Sequence, residues 1–103
     1  MVRIFAYGEL KNFSKPDPLW VGGELRLLPN DDAAAHFNGV GQVWGQAYEL
    51  PTDTFNRLIG EEVAAGFVPV VVATSDGQSA MAFEYFGPGW DDATPIPGGV
   101  YKP

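Results

Sequence analysis

A chain of 103 residues with 46% hydrophobic and 14% aromatic side chains carries enough apolar surface for one packed core, which excludes a disordered polymer. Thirteen acidic against six basic side chains give a net charge of −7. That excludes nucleic acid and anionic membranes as partners, because phosphate binding needs clustered lysine and arginine.

With no cysteine in the chain, disulfides, thiol nucleophiles and zinc–thiolate sites are also excluded. No apolar run approaches a membrane span, and no charged-then-apolar signal segment opens the chain. The expectation is a cytoplasmic protein with a single domain over residues 1–103.

Arg3-Ile4-Phe5-Ala6-Tyr7-Gly8-Glu9-Leu10 opens with a short, β-favouring apolar run, which suits a strand covered on both faces. Gly8 then permits a sharp turn, and outward-facing amides at such a turn make a seat for a carboxylate. Lys11 to Leu19 contains Pro16 and Pro18 and reads as a loop. Gly22-Gly23 breaks the next segment before the alternating strand Glu24-Leu25-Arg26-Leu27, and Pro29-Asn30-Asp31-Asp32 is turn chemistry. Ala33 to Phe37 fits either a short strand or one helical turn.

Gln42 to Leu50 alternates as a strand, with Trp44, Gln46, Tyr48 and Leu50 on one face. Pro51-Thr52-Asp53 starts the main helix, with Thr52 or Asp53 as the expected cap and Phe55, Leu58 and Ile59 as its apolar stripe. Gly66 marks its expected end. Phe67 to Thr74 is β-branched and apolar, and Ser75-Asp76-Gly77-Gln78 reads as a hairpin turn. Ser79 to Phe86 then returns antiparallel, with Met81, Phe83 and Tyr85 on one side. The tail from Gly87 reads as irregular coil. The sum is an α+β domain, a small and mostly antiparallel β-barrel with one main helix.

Few groups could carry chemistry. The single histidine, His36, follows three alanines without a partner motif, and reads as packed or solvent-facing. Asp31-Asp32 and Asp91-Asp92 sit among turn residues and read as solvated. No spacing suggests a metal site, so no metal and no cofactor are expected. Trp20, Trp44 and Trp90 are candidates for a pocket wall, with packing the favoured reading for Trp44. Glu61-Glu62 at the helix end reads either as a solvated face or as an acid/base.

Tyr7-Gly8-Glu9-Leu10 after a first strand resembles the Tyr-Gly-Ser/Thr-Leu loop of the γ-glutamylcyclotransferase-like (AIG2-like) family. Val43-Trp44-Gly45-Gln46-Ala47-Tyr48-Glu49-Leu50 is similar to that family's central strand, and the helix ending near Glu62 extends the likeness. Tyr48-Glu49-Leu50-Pro51 followed by Phe55 also resembles the C-terminal accessory domain of allophanate hydrolases. The resemblance implies a γ-glutamylcyclotransferase-like fold and cyclisation of a small γ-glutamyl amine or related amide to 5-oxoproline. Counting from Leu58, Glu62 falls at the family's acid/base glutamate. The Tyr7, Gly8, Glu9 and Leu10 loop becomes the seat of a small γ-glutamyl or carboxylate ligand. Four positions differ from the family pattern: Glu9 replaces a small hydroxyl residue, Ile59 an aspartate, and Phe67 and Pro69 a tyrosine and an arginine. The alternative reading is a non-catalytic ligand-binding or oligomerising domain of the same fold, with a homodimer among the expected assemblies.

Overall fold

The computed structural model describes residues 1–8 and 18–100. In chain order the elements are β1 (Val2–Ala6), β2 (Leu19–Gly22), β3 (Glu24–Leu27), β4 (Ala33–His36), β5 (Gln42–Leu50), α1 (Thr52–Ala64), β6 (Phe67–Ala73), β7 (Ser79–Tyr85) and β8 (Thr94–Pro95). A 3-10 turn over Pro97–Gly99 follows. A five-stranded sheet runs β2-β5-β1-β7-β6, and a three-stranded sheet runs β4-β3-β8. All pairings are antiparallel except β1 with β7, which is parallel through Ile4 and Met81. The sheet is therefore mixed.

β1 lies at the centre of the larger sheet, and its side chains enter two cores alternately. Phe5 and Tyr7 belong to one cluster with Val21, Leu25, Val43 and Val72. Ile4 and Ala6 belong to the other, with Phe55, Phe67, Phe83 and Tyr85. That two-faced burial is what its unbroken apolar run requires. β7 divides the same way: Ala80 and Ala82 join the first cluster, Met81, Phe83 and Tyr85 the second. α1 covers the second face through Phe55, Leu58 and Ile59, the stripe expected from spacing.

Four expectations need adjustment. The sheet is curled but not closed into a barrel: among the described residues β2 and β6 are its edges, and β3 leaves it at the Gly22-Gly23 break to pair with β4 and β8. Of the stretch Ala33 to Phe37, Ala33 to His36 resolve as strand, paired with Leu27 to Glu24. Its alanines are small enough for both faces to pack flush, Ala34 on one core and Ala35 on the other. Neither Thr52 nor Asp53 caps α1. Pro51 occupies that position at φ −56° and ψ 145° with no side-chain cap, its carbonyl accepting from the Phe55 amide at 3.0 Å. The tail is more ordered than coil, since Thr94 and Pro95 pair with β3 and the Ile96 amide donates to the Leu25 carbonyl at 2.9 Å.

Candidate functional site

The end of β1 and the end of α1 converge on one cavity. It has a volume of about 190 Å3 and is lined by Tyr7, Asp32, Ala33, Glu62, Ala65, Phe67 and Phe83. Tyr7 follows β1 directly and is 5% exposed, its hydroxyl donating to the Phe83 carbonyl. Burial pushes this phenol far above its ordinary range. A backbone hydrogen bond from Ala35 opposes the shift, while the Glu62 and Glu84 carboxylates reinforce it. Tyr7 therefore stays protonated and serves as a fixed wall rather than an acid.

Gly8 sets the path of the chain after Tyr7. Its φ of +62° lies in the left-handed region, and a Cβ there would meet the Ala33 Cβ at 2.9 Å. A side chain would clash with the cavity wall and strain the backbone together. Glu9 and Leu10, the other two residues of the expected ligand loop, lie outside the described residues.

Glu62 comes from the last turn of α1, a half-buried residue facing the cavity, while its neighbour Glu61 is exposed. Its carboxyl is pushed above the ordinary value of 4.5, first by burial and then by the negative charges of Glu61 and Asp32. The site is unfavourable for an anion in another way: the C-terminal end of a helix carries partial negative charge, and the last turn of α1 has no basic residue. A carboxyl in such surroundings is biased toward taking up a proton, the property a general base requires.

Asp32 is the lining residue that sequence reasoning assigned to solvent. It ends the turn between β3 and β4, where the Asn30 side chain holds it from both sides: Nδ2 donates to Asp32 Oδ2 and Oδ1 accepts from the Asp32 amide, each at 3.1 Å. The Asp32 carbonyl accepts from Leu28 at 2.8 Å. The signal that could have found it is its position immediately before the alanine strand, which the Tyr7-Gly8 turn packs against. Asp31, Asp91 and Asp92 are exposed, as expected of turn residues.

The other candidates lie elsewhere. His36 stacks on Trp90 with ring centroids 3.6 Å apart, and its Nε2 lies 2.9 Å from the Tyr85 carbonyl. The Arg26 guanidinium sits 4.4 Å from the Trp90 ring centroid and pairs with Glu24 at 2.9 Å. This stack fastens the tail to β3 and β4. Trp20 lines a second, more open groove of about 680 Å3 with Glu24, Val40 and Gln42, while Trp44 is half-buried on β5. Among the described residues no group of three or more His, Cys, Asp or Glu could hold a metal ion. No described helix is long and apolar enough to cross a membrane.

Fold and cavity together define a small α+β domain with an acid-bearing pocket between its sheet and its helix end. No family model matches the chain, and no curated protein matches it. Among solved structures it is similar to the crystal structure of an uncharacterized protein from Pyrococcus horikoshii. The TM-score is 0.75 at 25% sequence identity, over 97% of this chain and 89% of that one.

Proposed function

We propose that the protein is a γ-glutamylcyclotransferase-like enzyme acting on a small γ-glutamyl amine or related amide, with Glu62 as acid/base. The observation that carries this reading is that Glu62, proton-seeking in its half-buried position, shares one cavity with Tyr7 at the head of the glycine turn. In the reaction the substrate's α-amine attacks its own γ-carbonyl carbon while Glu62 accepts the amine proton. Collapse of the tetrahedral intermediate breaks the bond to the leaving amine, to which Glu62 returns the proton. The products are 5-oxoproline and a free amine. No enzyme nucleophile is needed, which suits a chain with no cysteine and one histidine. The Tyr7-Gly8-Glu9-Leu10 loop seats the substrate carboxylate through backbone amides, and the protein works in the cytoplasm on a small-molecule ligand.

A non-catalytic binding domain of the same fold is the second reading. It is favoured by Phe67 in the cavity wall and by Pro69 beyond it, where the family carries a tyrosine and an arginine. Amine release from γ-glutamyl substrates separates the two. Glu62→Gln keeps the size of the carboxylate but cannot shuttle a proton, so turnover should fall by about a hundredfold or more. Glu61→Gln, on the exposed side, should stay near wild type. Equal losses in both variants would refute the assignment of Glu62, and saturable ligand binding without turnover in the wild type would establish the second reading.

A further inference from the structure

We propose that Asp32 makes this cavity selective for γ-glutamyl conjugates whose leaving amine carries a second, permanently protonated nitrogen. The inference rests on the reading of the cavity as the γ-glutamyl site and adds the class of leaving group.

Two carboxylates from different elements line one small cavity, Asp32 from the β3–β4 turn and Glu62 from α1. Of the described lining residues none is a lysine or arginine. Two of the described arginines are tied elsewhere, Arg3 to Asp76 and Arg26 to Glu24, each at 2.9 Å. The remaining wall is apolar, two alanines with the aromatic rings of Tyr7, Phe67 and Phe83, and aromatic faces attract cations. Carboxylates and rings around one space are the chemistry of an ammonium pocket. A leaving group that itself bears a carboxylate, as in a γ-glutamyl dipeptide, would add a further negative charge to those of Asp32, Glu62 and the substrate's own α-carboxylate.

A γ-glutamyl conjugate already has one ammonium, on its α-carbon, but Asp32 cannot usefully hold that one. The α-amine must lose its proton to attack, and a carboxylate against it would stabilise the charged form and slow the reaction. The charge of Asp32 is productive toward a nitrogen that stays protonated from binding to release, and the far end of a diamine is such a nitrogen. Asn30 fixes the Asp32 carboxylate by one oxygen, so the group is presented in a set orientation rather than searching for its partner.

The test compares the γ-glutamyl conjugate of a linear diamine with that of the alkylamine of the same length. Wild type should prefer the diamine conjugate by about tenfold in kcat/KM, the order expected from one opposite charge at partly screened distance. Asp32→Asn should erase the preference, read as the ratio of kcat/KM for the two conjugates, in which any change at Glu62 common to both substrates cancels. A loss that falls equally on both substrates, with a displaced pH profile, would show that Asp32 acts only by raising the proton affinity of Glu62, and would overturn the inference. Binding of both conjugates, followed by amide NMR shifts at Ala33 and Ala65 in the unsubstituted protein, needs no turnover and no variant. Equal affinities there overturn the selectivity even if the enzyme reading stands. A diamine preference in binding without product supports the selectivity and defeats the enzyme reading.

Discussion

At the scale of single residues, the cavity is a contest between burial and charge, and Glu62 sits where both oppose ionisation. The consequence for stability has a definite sign. The folded carboxyl holds its proton above the value of 4.5 at which the unfolded chain releases it. Between those two points the folded state binds more protons, so stability falls as pH rises through the window. Glu62→Gln removes that dependence. The variant should match wild type in Tm below pH 4.5 and exceed it at neutral pH, by a small margin because the residue is half-exposed and screened. A Tm difference that does not change with pH would contradict the burial of this carboxyl. Tyr7 and Glu62, which both line the cavity, were singled out in the sequence by the resemblance of their loop and helix end to a family pattern. Asp32 was not. Pro29-Asn30-Asp31-Asp32 carries every mark of a solvated turn, and only the pairing of β3 with β4 brings its last residue beside the helix end.

At the scale of elements, α1 carries Glu62 to the cavity at its C-terminal end and is poorly finished at its N-terminal end. Pro51 presets the backbone for entry into the helix, and its carbonyl accepts the first intrahelical bond, but it offers no side-chain acceptor to the first-turn amides. Asp53 lies two residues past the cap position and compensates in part through the helix dipole. Pro51→Asp should supply the missing cap and raise stability by about 1 kcal/mol, read from denaturant midpoints at unchanged slope. A lower midpoint would mean that the rigid φ of proline matters more than the cap. Elements with strong alternation, β5 and β7, were readable residue by residue. β4 was ambiguous because a run of alanines satisfies helix and strand alike, and its neighbour β3 decides the matter through long-range pairing. β8 was hidden by Pro95, which a sequence reader takes as a breaker but which is tolerated on a short edge strand.

At the scale of the whole molecule, the sheet among the described residues ends in two edge strands, β2 and β6. β6 is an edge strand of seven residues, with Val71 71% exposed and Val68 40% exposed. A long apolar edge invites pairing with another chain. Two features oppose it. Pro69 lies in the middle of β6 in unbroken register with Phe83, so the side lacking a donor is the outward one. The net charge of −7 adds repulsion between copies. These protections differ in range: proline acts only at contact, whereas charge acts over a Debye length of about 10 Å at 0.1 M salt and about 3 Å at 1 M. Pro69→Val restores the outward donor and leaves charge as the remaining barrier. The variant should therefore resemble wild type in light-scattering mass at low salt, then rise with protein concentration in high salt, to at least about twice the wild-type mass for paired copies. Salt-independent association would show that charge contributes nothing. No association at any salt would show that the β6 edge is protected by something other than its proline.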